Sequence, residues 1–140
     1  MKALKNIIIL LTILLWLAPS KSMAQRDKID ELRASFIAKN IEFSSAESEK
    51  FWPIYNELQD KRKALKKNMR QSLKNLSPTA SDKEAEEIIT LENKSAAADA
   101  ELTKTYNDKL KIVIGAKKLA KLKVLEEEFK LEVLKAAKEK

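Results

Sequence analysis

The sequence has no cysteine and no histidine, and it has one glycine and three prolines in 140 residues. Without cysteine no disulfide can stabilise the chain, and a bacterial lipoprotein anchor, which needs a cysteine after the apolar segment, is excluded. Without histidine the commonest metal ligand and general base is missing. Period-two runs of β-branched and aromatic residues are absent apart from residues 111–114, so sheets are not expected. Stability must therefore come from helix packing.

The first 24 residues predict a secretory signal peptide. Lys2 and Lys5 precede an apolar run of twelve residues, 7–18, which is shorter than the roughly 20 residues that span a bilayer. Ser22 and Ala24 are small residues at positions −3 and −1 of a cleavage site, which we place after Ala24. A retained membrane anchor is the weaker alternative. We expect residues 25–140 to be exported to the periplasm as a single helical domain.

Composition indicates an all-α protein. Ala, Glu, Leu, Lys and Arg make up more than half of residues 25–140, which is typical of long helices and coiled coils. This mature segment keeps 25 of the 28 basic residues and all 21 acidic ones, so its formal net charge is +4 instead of +7. The basic character is therefore local.

Breakers and capping signals divide the mature chain into four predicted helices, at about 27–40, 45–73, 82–114 and 116–137. Capping boxes begin the second and third helices, with Ser44 reaching Glu47 and Ser81 reaching Glu84. Gly115 is the natural residue to end the third helix, since glycine adopts positive φ without cost. The two long middle helices predict an elongated hairpin, and Pro53 predicts a kink in the second helix.

The segment 51–56, Phe-Trp-Pro-Ile-Tyr-Asn, lies just inside the second predicted helix. Phe51 and Tyr55 fall on its apolar stripe and are expected to pack against Phe36 of the first helix. Trp52 lies one position off that stripe, so it is either core or an exposed contact for a partner.

These residues resemble the Spy/CpxP-like family of small periplasmic helical proteins, particularly its Bacteroidetes-type members. The resemblance covers about residues 29–129. The family is marked by two Leu-Thr-x-x-Gln repeats, whose positions here are filled by Phe43, Ser44 and Glu47 and then by Ile114, Gly115 and Lys118. Gly115 has no hydroxyl and Lys118 is not an amide, so the second repeat departs from the pattern. The other residues that carry the resemblance are Phe51, Trp52, Pro53 and Tyr55.

The resemblance implies a four-helix, cradle-shaped homodimer that acts as an ATP-independent chaperone for unfolded or partly folded proteins. Its CpxP-like members suggest an alternative, a regulator that binds a periplasmic signalling domain such as a sensor kinase or a sigma/anti-sigma system in the envelope-stress response. No cofactor or metal is expected. An enzyme is not expected either, since the sequence has no histidine, cysteine or glycine-rich phosphate loop.

A basic run in the second predicted helix marks the candidate binding site. Between residues 61 and 74 the chain carries seven positive charges and no acid, at Lys61, Arg62, Lys63, Lys66, Lys67, Arg70 and Lys74. A charge run is most often a solvated helix face, but the missing acids favour an anionic partner. Nucleic acid is not expected for an exported protein. Client polypeptides, drawn in by Arg62, Lys66 and Arg70, and an anionic membrane surface remain as candidate partners.

Overall fold

The structure is a computed structural model, which describes residues 21–139 and, from residue 27 onward, their side chains. These residues form three helices joined by short turns and contain no strand, which confirms the all-α prediction. Helix α1 spans Lys21–Asn40, α2 spans Ser45–Asn75 and α3 spans Asp82–Lys138. The predicted signal peptide lies mostly outside these residues, so cleavage after Ala24 stays a prediction.

Both predicted capping boxes are present. The Ser44 hydroxyl accepts from the Glu47 backbone N–H at 3.1 Å, and Glu47 accepts from the Ser44 backbone N–H at 2.9 Å. Ser81 and Glu84 make the same pair of bonds at the start of α3. Each box satisfies two backbone donors that the first turn of a helix leaves without partners, which is why α2 and α3 begin where the sequence predicts.

Gly115 interrupts α3 with the one positive φ angle of the described chain, φ 76° and ψ 163°. The two predicted C-terminal helices therefore form one element with a kink, because only a single residue between them leaves helical geometry. Four separate helices are not confirmed for the described residues. A kink at Pro53 is not confirmed either, since α2 continues through this residue as an unbroken helix.

The kink at Gly115 turns the chain back along α2. In the first part of α3, residues 82–114, Thr103 meets Arg62 of α2, and the later Ile114 joins the earlier Phe51 in the core, so the two helices run antiparallel. In the last part of α3, residues 116–138, Lys118 meets Glu47 and Glu126 meets Tyr55, so this part runs parallel to α2. Both parts of α3 thus pack against the same helix.

The core lies at the end of the molecule next to Gly115, where α1 also packs against α3. It is built from the apolar stripes of all three helices, as helical periodicity predicts. Its buried members are Ile37, Ile41, Phe51, Tyr55, Leu110, Ile114, Leu119, Leu122 and Leu125. Towards the turn between α2 and α3, Leu65, Met69, Ile88 and Leu91 are only half-buried. No helix within residues 21–139 is long and apolar enough to cross a membrane.

Candidate interaction surface

Arg62 ties α2 to the first part of α3. Its Nε donates to Asp99 Oδ1 at 3.2 Å and one terminal nitrogen donates to Thr103 Oγ1 at 2.7 Å. The side chain is 20% exposed. Lys61, its neighbour, pairs with Glu57 at 3.0 Å and lies over the ring of Tyr106. Lys61 and Arg62 are therefore both in contact with other residues of the α2–α3 hairpin.

Lys63 reaches across to α1, where it forms an ion pair with Asp30. The same Asp30 carboxylate accepts from Arg33 at 3.1 Å. The Asp30 carboxylate therefore pairs with two cations. Its contact with Lys63 links α1 to α2, which do not otherwise pack closely because the backbone of α1 lies against α3. The sequence analysis missed Asp30 and Arg33; their three-residue spacing was the only signal of their pairing.

The four remaining cations of the run, Lys66, Lys67, Arg70 and Lys74, are exposed. None of them makes an ion pair within the part of the chain that the structure describes. Lys63, Lys67, Arg70 and Lys74 follow one another at intervals of four, three and four residues, so they share one helix face about 16 Å long. We call the five residues Lys63, Lys66, Lys67, Arg70 and Lys74 the basic row.

The basic row borders a groove between α1 and α2. Two concavities of about 380 Å³ and 300 Å³ share Asp30, Arg33 and Lys63, so the Asp30–Lys63 bridge lies where they meet. We call the two together the α1–α2 groove. Ile29 and Ala64 contribute apolar lining at the end nearer the basic row, whereas the other end is lined by Tyr55, Asn56 and Gln59 together with two acids, Glu31 and Asp60.

The two segments that resemble the family's repeats meet at an ion pair. Lys118 Nζ donates to Glu47 Oε2 at 2.6 Å, and this Glu47 oxygen also accepts from the Ser44 backbone. Lys118, and then the Ser44 amide, hold the pKa of Glu47 below its ordinary value of 4.5. Ile114 is buried in the core nearby. The structure therefore brings together the last positions of both repeats, a contact that the sequence analysis did not predict.

The aromatic segment is chiefly structural. Phe51 and Tyr55 are buried and stack with ring centroids 5.2 Å apart. Trp52 is half-buried, its ring lies edge-on to Phe51, and its Nε1 donates to Ser48 Oγ at 3.1 Å. Phe36 packs against the core that contains Phe51 and Tyr55, and its ring centroid lies 5.8 Å from that of Phe129 of α3. Trp52 therefore lies at the edge of the core and is partly exposed, so it is intermediate between the two alternatives of a core residue and an exposed contact.

A partly buried hydrogen bond links the last part of α3 to α2. The Tyr55 hydroxyl donates to Glu126 Oε1 at 3.1 Å, and Gln59 donates to the same oxygen at 3.3 Å. Burial, and then the Glu126 charge, raise the pKa of Tyr55 well above its ordinary range. Glu126 is one of three consecutive glutamates, 126–128, and no local sequence pattern distinguishes it from Glu127.

Within the described residues no group of three or more acidic side chains is arranged to hold a metal ion. The arrangement of this surface suits reversible binding of anions, because its cations are spaced along a helix and its concavities are open. Comparison with protein-family models, with characterised proteins and with solved structures gave no match.

Proposed function

We propose that this protein is an ATP-independent periplasmic chaperone, a holdase that binds unfolded or partly folded polypeptides, and that it belongs to the Spy/CpxP-like family. In this proposal the two parts of α3 act as separate helices, and the molecule is a four-helix, cradle-like hairpin. Support for the family comes from the Glu47–Lys118 contact, which pairs equivalent positions of its two repeats.

The observation that carries the proposal is the uncompensated charge of four of the five residues of the basic row. Lys66, Lys67, Arg70 and Lys74 have no acidic partner in the described chain, although acids are plentiful elsewhere. Positive charge held at a surface draws in anionic partners and raises their rate of encounter. A holdase needs this long-range attraction because it must reach a client before the client aggregates.

The half of the hairpin away from Gly115 supplies the second requirement, weak apolar contact. Leu73 is 50% exposed and Ile89 is 56% exposed, and the core does not extend to them. Isolated apolar groups of this size gain little on contact, so each client interaction is weak. Many weak contacts allow release without ATP.

Aggregation of an unfolding client, followed by light scattering, tests the proposal. The wild type should suppress scattering, and the Lys66→Glu/Arg70→Glu variant should suppress it less, most clearly at low salt where charges are least screened. Lys117→Glu/Lys121→Glu is the matched control, since both lysines are exposed on the last part of α3 and make no ion pair in the described chain. Absence of suppression at several-fold molar excess would overturn the proposal.

Pull-down from envelope extract separates the chaperone from the regulator. A chaperone should recover a mixture of proteins, and one stoichiometric signalling protein would instead favour the regulator. Mass spectrometry of the recovered protein should give an N-terminus at Gln25 if the signal peptide is cleaved as predicted, and retention of residues 1–24 would contradict export in this form.

We also propose a homodimer. Val124, Leu131 and Leu134 are 57%, 61% and 51% exposed on the last part of α3, away from the buried Leu122 and Phe129. An apolar stripe left in solvent on an elongated helical protein favours self-association. Sedimentation at micromolar concentration should give a dimer mass, and a strict monomer would contradict the proposal.

A further inference from the structure

We infer that the α1–α2 groove binds a carboxylate-rich peptide segment. In the free protein the Asp30 carboxylate occupies the position that one carboxylate of the peptide takes in the complex. This inference rests on the proposed function and deepens it, because it names the kind of client segment and the place where it binds.

The charge count of the groove points to an acidic occupant. The end that Ile29 and Ala64 line carries five cations, Arg33, Lys63, Lys66, Lys67 and Arg70, and one acid, Asp30. That single carboxylate pairs with Arg33 and Lys63, and the other three cations have no partner in the described chain. Like charges this close repel one another, so a ligand that supplies further carboxylates relieves the repulsion.

The spacing of the basic row fits a peptide. Neighbouring positions of Lys63, Lys67, Arg70 and Lys74 are about 4.5–6 Å apart along the helix axis. In an extended peptide, side chains on one face recur about every 6.7 Å, so glutamates at alternate positions fall near successive cations. Glutamates four residues apart on a helix, about 6 Å, fit equally well.

The concave shape of the groove favours a peptide over a membrane. Asp30 lies where the two concavities meet and is 30% exposed, between helices whose exposed side chains form the rim. A narrow peptide can enter and replace Asp30 at Lys63. A flat bilayer surface meets the rim first and leaves the Asp30–Lys63 bridge intact.

Replacement of Asp30 distinguishes this mechanism from general charge attraction. Asp30→Asn removes the internal competitor: it frees Arg33 and leaves Lys63 with only its longer, 3.9 Å contact to Asp60, so an acidic peptide should bind roughly two- to fivefold more tightly. Asp27→Asn is the matched control, because Asp27 lies on the same helix, is exposed and makes no ion pair among the described residues. It changes the net charge equally but frees no cation, so its effect should be clearly smaller.

The probe is a fluorescein-labelled twelve-residue peptide with glutamate at alternate positions, titrated by fluorescence anisotropy with the mature protein. A second peptide carries glutamine in place of every glutamate. The glutamate peptide should bind, the glutamine peptide should not, and Lys66→Glu/Arg70→Glu should weaken binding at least roughly tenfold while Lys117→Glu/Lys121→Glu leaves it unchanged. Circular dichroism checks that each variant is folded.

Three results would overturn the inference: equal binding of both peptides, an Asp30→Asn effect no larger than that of Asp27→Asn, or binding to phosphatidylglycerol vesicles without binding of the glutamate peptide. The last result would indicate a membrane surface. If the protein suppresses client aggregation but does not bind the glutamate peptide, the inference fails and the proposed function stands. If suppression is absent and the peptide still binds, the chaperone proposal fails and the groove remains a peptide site.

Discussion

Replacement of Gly115 by alanine tests how the chain turns back on itself. At φ 76° and ψ 163°, Gly115 occupies a region of backbone space that is almost confined to glycine. A Cβ built at this position meets no atom within 4 Å, so steric clash with neighbours contributes nothing. Backbone strain alone should therefore lower the free energy of unfolding of Gly115→Ala, by about 1–3 kcal/mol.

Gly115→Asn is the control for the backbone region. Asparagine tolerates the left-handed helical region, near φ +57° and ψ +47°, better than alanine does. The ψ of 163° lies far from that region, so asparagine should be destabilising by about as much as alanine. In urea denaturation followed by circular dichroism at 222 nm, a loss of 2 kcal/mol should move the midpoint by about 1 M.

The oligomeric state of Gly115→Ala gives a second readout. Alanine favours continuation of the helix, which would carry the last part of α3 away from α2. That part could then pack against α2 of a second molecule, so on dilution the domain-swapped dimer of the variant should persist, by light scattering, at protein concentrations where the wild type is a monomer. An unchanged urea midpoint, or a clear rescue by asparagine, would refute this account of Gly115.

Three further predictions concern side chains. Tyr55→Phe should lower the free energy of unfolding by about 1–2 kcal/mol through loss of the bond to Glu126. Tyr106→Phe should change it by under about 0.5 kcal/mol, since that buried hydroxyl makes no hydrogen bond to any described residue, and equal urea midpoints of the two variants would contradict this. Arg62→Met should cost about 1–2 kcal/mol and the exposed Lys66→Met under about 0.5 kcal/mol, and the reverse order would show that Arg62 is not structural. The pKa values of Glu47 and Glu84 are lowered in the folded state, so their stabilisation is present above the ordinary value of 4.5 and is lost as pH falls through the folded pKa. With no histidine, the urea midpoint should be nearly flat from about pH 5.5 to 8 and fall in acid, and a midpoint that rises on acidification would refute the assignment.

Local features of the fold were predictable from the sequence. Ser44 with Glu47 and Ser81 with Glu84 lie three residues apart, so the capping boxes depend on no distant part of the chain. Gly115 was also predicted from local sequence to end a helix, because it is the single glycine of a helical chain. The sequence did not predict that Gly115 alone reverses the direction of the chain, with no loop between the two helical parts of α3.

Contacts between specific helices could not be predicted from the sequence. Helical periodicity gives the apolar face of each helix but not every helix that it faces, so it did not predict the contact between Phe36 and Phe129. The contact of Glu126 with Tyr55 could not be predicted for a similar reason. Its three-glutamate run looks uniform in sequence, and only the position of Tyr55 on another helix distinguishes one glutamate from the next.

The basic run could not act as one surface, because successive residues of a helix point about 100° apart. Arg62 faces the first part of α3 and binds Asp99, and Lys63 faces α1 and binds Asp30. A substitution at Arg62 therefore perturbs the hairpin as well as the surface charge. Lys66, Lys67, Arg70 and Lys74 contact no acid in the described chain, so loss of binding on their replacement reports on the surface itself.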